Sequence, residues 1–159
     1  MIAKKLREIQ FIVVLFIIGI VVSGVTAFPI QTGINALAEY RHHFPAAMEQ
    51  WILILQDGIN ETWNRYPFLA YGTDWLAFAH IMIGIAFIGV YKHPVRNQWV
   101  VHWAMICCVC VIPTAFICGW VRGIPFFHIL IDCSFGVFGL ALLLLLQHKI
   151  THFKHHIHR

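Results

Sequence analysis

Charge is what this chain has least of. Only 11% of its 159 residues are Asp, Glu, Lys or Arg, against roughly 25% in a soluble domain. A soluble core protein also mixes its charges, whereas here they are segregated between apolar runs. Cysteine is missing from every polar connection. All five (Cys107, Cys108, Cys110, Cys118 and Cys133) fall inside apolar stretches, which excludes a disulfide framework between loops and leaves them as small apolar side chains. Cys118, nearest the outer end, is the candidate for a reactive thiol. There is no nucleotide-binding loop, no nucleic-acid signature and no catalytic motif. Internal repeats and low-complexity linkers are also absent, so residues 1–159 read as one transmembrane domain.

Apolar residues supply what is left, at 60% of the chain. Four runs approach or exceed the length needed to cross a bilayer as a helix, about 20 residues: residues 9–28, 75–91, 99–120 and 126–146. The second is the shortest, at 17 residues, and residues 71–74 can extend it. The first could pass for a cleaved signal peptide, with Lys4, Lys5 and Arg7 before it and Val25-Thr26-Ala27 at its end. Its apolar stretch is longer than a usual signal core, which favours a retained helix. Lys and Arg number eight across the N-terminus, the 92–97 turn and the tail, against three on the other side (Arg41, Arg65, Arg122). The positive-inside rule then puts both termini in the cytoplasm. The expected fold is all-α: an integral four-helix membrane bundle, N-in and C-in, with the lipid bilayer as its first partner.

Segment 31–74 is the largest extramembrane part. Between Ala46 and Trp63 the apolar residues Met48, Trp51, Ile52, Leu55, Ile59 and Trp63 recur at helical spacing, which predicts an amphipathic extracytoplasmic helix between spans one and two. Pro45 precedes it and Asn64-Arg65-Tyr66-Pro67 follows. Asn60-Glu61-Thr62 matches a glycosylation sequon, read as chance in a bacterial topology. In the first span Gly19, Ser23 and Ala27 form a small-residue stripe suited to close helix packing. Pro113 should kink the third span.

Asp132 is the only charged residue in any of the four runs. A carboxylate at membrane depth costs several kcal/mol unless paired or protonated. His128 stands four residues earlier, on the same helical face. His80 in the second span should lie within roughly 3 Å of the depth of His128, from the helical rise per residue. Asp74 and Arg122 mark the mouth of such a site, with Tyr71 and Cys118 near the rim. Glycines follow each histidine along its face (Gly84; Gly136 and Gly139) and let a flat cofactor or another backbone approach. Three readings compete: a haem b with His80 and His128 as axial ligands; a zinc or iron ion held by His80, His128 and Asp132; and a cofactor-free interhelical clamp that only fixes packing.

Two further histidine groups have plainer readings. His102, between Trp99 and Trp103, is an interfacial anchor. The tail, residues 147–159, holds five histidines, of which His148, His152 and His156 share a helical face. It reads as a basic juxtamembrane helix held at anionic lipid, with metal binding as the minority expectation. One carboxylate in four spans offers little pathway for a transporter.

The stretches Tyr66-Pro-Phe-Leu-Ala-Tyr-Gly-Thr-Asp-Trp75, His93-Pro-Val-Arg-Asn97, Arg122-Gly-Ile-Pro-Phe-Phe127 and Leu130-Ile-Asp-Cys-Ser-Phe-Gly136 resemble a family of uncharacterised small four-helix bacterial membrane proteins. The resemblance covers about Tyr66 to Gly139 and implies the four-span architecture without an activity. Two functions therefore stand as expectations. One is a haem- or metal-binding redox or ligand-binding protein. The other is a non-catalytic accessory or assembly subunit of a membrane complex or homo-oligomer.

Overall fold

The computed structural model describes residues 2–157, with side chains to residue 156. Among them there are six α-helices, one 3-10 turn and no strand: α1 (Ile2–Val25), α2 (Ile30–Glu39), the 3-10 turn Arg41–His43, α3 (Ala46–Arg65), α4 (Pro67–Lys92), α5 (Gln98–Arg122) and α6 (Phe126–Ile157). Helices α1, α4, α5 and α6 are long and apolar enough to cross a membrane. All four expected spans are thus present as continuous helices. Their ends differ from expectation. Helix α4 starts at Pro67, because Pro fits the first helical position and the polar Tyr71–Asp74 turn simply continues the helix. Helix α6 runs on through most of the histidine-rich tail.

The chain divides into two compact units, Met1–Ile18 with Gly84–Arg159, and Gly19–Ile83. In the first, α5 and α6 form an antiparallel hairpin. Its turn is built on Gly123, the one described residue with positive φ (67°). The Ile124 N–H donates to Gly119 O at 2.9 Å and Gly123 N–H to Trp120 O at 3.2 Å, a Schellman-type closure that only glycine adopts without strain. Pro125 then prevents α5 from resuming. Small residues set how closely the two helices approach. A Cβ on Gly136 would lie 2.7 Å from the Cys108 carbonyl oxygen, and one on Gly119 would lie 2.6 Å from Ile129. Ile9, Val13, Phe87, Val90, Leu143, Leu146 and Ile150 are buried together with this hairpin, and Phe16 packs on Phe87 with ring centroids 4.4 Å apart. Asn97 closes the α4–α5 turn by donating to Gly89 O and His93 O.

In the second unit α2 and α3 form a helical hairpin. The expected amphipathic helix is α3, and Ile52 is buried as its spacing required. Helix α2 was not expected. Its Ile34 and Ala38 meet Ile52, flanked by Phe44, Leu55 and Ile59. Beside that core runs an amide ladder: Gln31 and Asn35 donate to Asn60 Oδ1, while Gln56 and Asn60 donate to Asn35 Oδ1, at 3.0–3.3 Å. Glu49 accepts from His42 at 2.8 Å, with Arg41 3.6 Å away. The packing glycine of this unit is Gly24, where a Cβ would lie 2.8 Å from Ala77 O and from His80 Cβ. The expected stripe is therefore displaced. Gly19 has no neighbour within 4 Å and Ser23 is exposed.

Candidate functional site

The residues expected to form one site are distributed over both units: His80 and Asp74 lie in Gly19–Ile83, and His128, Asp132 and Arg122 in the other. What the structure brings together is the α6 pair. His128 Nε2 stands 4.0 Å from Asp132 Oδ1, as the four-residue spacing dictates, beyond hydrogen-bond length. Neither group is buried. Their side chains are 32% and 48% exposed, respectively, and no polar or charged residue among those described is buried. The expectation of a buried His/Asp site is thus not met for α6; the pair lies partly open on the helix surface.

His80 is half-buried on α4. Its Nδ1 lies 2.8 Å from the Leu76 carbonyl oxygen one turn back. A carbonyl can only accept, so Nδ1 carries a proton, and in the neutral ring this leaves Nε2 as the lone-pair nitrogen. Gly24 lets α1 press against the same turn, so backbone, and not a flat ligand, occupies the space beside His80 Cβ. The same holds on α6. Gly136 and Gly139 face Cys108 on α5, and this face, read as room for a cofactor or a backbone, is taken by the Cys108 carbonyl at Gly136 and by its Sγ at Gly139. Asp74 is partly buried on α4, and Arg122 is exposed at the last turn of α5. Trp120 is 87% exposed and Cys118 is exposed. Among the described residues no three His, Cys, Asp or Glu side chains are gathered as a metal-ligating set.

Two features escaped the sequence reading. Cys107 and Cys110 are spaced as Cys-x-x-Cys on α5, which corrects the reading of the five cysteines as containing no such pair. Together with Val111, Thr114 and Ala115 they line a groove of about 390 Å³ beside Pro113. There the Thr114 hydroxyl donates to Cys110 O at 2.8 Å, occupying a carbonyl next to the one whose helical partner Pro113 removes. The second feature is at the other end of the helices. His148, His152 and His156 stack along α6 as expected, with ring centroids 5.1 and 6.4 Å apart, and they face the start of α1. Lys149 Nζ donates to Glu8 Oε2 at 2.7 Å.

Comparison with known proteins finds no matching family model, curated protein or solved structure.

Proposed function

We propose that this chain is a multi-pass protein of the bacterial inner membrane, with cytoplasmic termini and an outer α2–α3 hairpin, serving as an accessory or assembly subunit of a membrane complex. The observation that carries this reading is the use made of its glycines. Gly24, Gly119 and Gly136 each lie where a Cβ would come within 2.8 Å of a neighbouring helix, so helix packing uses these glycines, and Gly136, one of those that would admit a cofactor, is among them. Lipid or neighbouring subunits then cover outward apolar side chains such as Trp120, Val121 and Phe138, which are 74–87% exposed. The excess of Lys and Arg at the termini and the 92–97 turn supports the orientation.

The second reading keeps a ligand: haem b on His80 and His128, or zinc or iron with Asp132 added. One observation favours it. Ligating histidines usually donate their other ring N–H to a carbonyl or carboxylate, and His80 Nδ1 does so to Leu76. Purification in mild detergent, followed by visible spectra before and after dithionite and by elemental analysis, separates the two. The accessory reading expects no Soret band, no stoichiometric metal and co-elution with larger membrane proteins. A Soret band, or one metal per chain lost in both His80→Ala and His128→Ala, would replace it with the ligand reading.

A further inference from the structure

Helix α6 has 32 residues, about 48 Å at 1.5 Å each, well beyond a hydrocarbon core of about 30 Å. Its unbroken apolar run ends at the buried Leu146. His148, Lys149 and His152 therefore fall at head-group depth, given the membrane reading on which this inference rests. Lys5 and Glu8 precede the apolar run of α1 and fall at the same depth. These five side chains line one cavity of about 210 Å³, smaller than the ~300–1,000 Å³ of drug-sized ligand sites.

The charges in this cavity are not balanced. Lys149 is matched by Glu8 at 2.7 Å. Lys5 instead points its ammonium at His156 Nε2, 2.8 Å away. His156 Nδ1 lies 3.0 Å from the His152 carbonyl oxygen and must donate to it, so the nitrogen facing Lys5 is a neutral lone pair. Lys5 thus has an acceptor and no counter-ion in that contact, and it shares the Glu8 carboxylate, with Lys149 and Lys4, only at longer range. The lining keeps one net positive charge even with both of its histidines neutral.

We infer that this cavity binds a phosphate oxyanion, with Lys5, His148 and His152 as its donors and Glu8 holding Lys149 in place at the rim. Basic pockets between membrane helices at head-group depth take anionic lipid head groups. Soluble phosphate presents the same oxyanion.

The test is native mass spectrometry of the full chain in neutral detergent, titrated with phosphatidylglycerol or phosphatidylcholine. The expected result is preferential phosphatidylglycerol binding, at least about tenfold weaker in Lys5→Gln and His152→Gln, both checked for unchanged helicity by circular dichroism. Lys92→Gln serves as control; loss of one diffuse surface charge weakens binding only about fivefold. Displacement of the lipid by millimolar inorganic phosphate would assign the site to soluble phosphate, and retention would assign it to the head group. Equal binding of the two lipids, or equal losses in Lys5→Gln and Lys92→Gln, overturns the site. If the chain still extracts from membranes only with detergent, that failure leaves the membrane reading standing.

Discussion

At Gly136 a single absent Cβ decides how closely two helices approach, and the consequence is measurable. Gly136→Ala places a methyl 2.7 Å from the backbone oxygen of Cys108. A carbonyl on a packed helix cannot swing aside as a flexible side chain can. The expected loss is about 1–3 kcal/mol, as for overpacking elsewhere, seen as a lower thermal midpoint in detergent. Gly19→Ala, inside α1 with open space around it, should leave stability level or raise it by up to about 1 kcal/mol, the helix-propensity gain of Ala over Gly. Asp132 gives a second test at this scale. In the accessory reading Asp132→Asn removes a membrane carboxylate that stands 4.0 Å from His128, so the thermal midpoint stays level or rises. In the metal reading the same substitution strips the bound ion. Sequence made Asp132, His128 and their shared face legible, because four-residue spacing is a property of one helix. The packing roles of Gly24 and Gly136 depend on which neighbour each glycine meets, and a single chain does not reveal that.

Helices were legible in proportion to their apolar periodicity. The four spans and α3 announce themselves. Helix α2 does not, because Gln31, Thr32, Gly33 and Asn35 dilute its apolar face to Ile34, Leu37 and Ala38. Ile34 and Ala38, four residues apart, nevertheless carry the helical signal and fall against Ile52 of α3, while Leu37 stays exposed. The start of α4 was obscured by Gly72, Thr73 and Asp74, polar or small residues that a helix tolerates once Pro67 has begun it. The α2–α3 hairpin leans on its amide ladder. Asn60→Ala would leave the Gln31 amide and the Asn35 amide short of an acceptor, at about 1–2 kcal/mol for partly buried groups. Faster limited proteolysis between residues 40 and 46, with the spans unaffected, is the expected outcome.

For the whole molecule, the bilayer is the solvent that makes sense of the surface. Large aromatic and aliphatic side chains stand exposed along α4, α5 and α6, as lipid-facing residues do. Composition alone predicted this, since so few charges could not cover a soluble surface. The proposed topology has four spans, with the α2–α3 hairpin and the termini on opposite sides of the membrane. Paired reporter fusions measure it most directly: alkaline phosphatase, active only outside the cytoplasm, and green fluorescent protein, fluorescent only within it. Each is joined after Arg65 and at the C-terminus. The predicted result is phosphatase activity without fluorescence after Arg65, and fluorescence without phosphatase activity at the C-terminus. The reverse pattern, or the same pattern at both positions, would contradict the topology and with it the placement of every site described above.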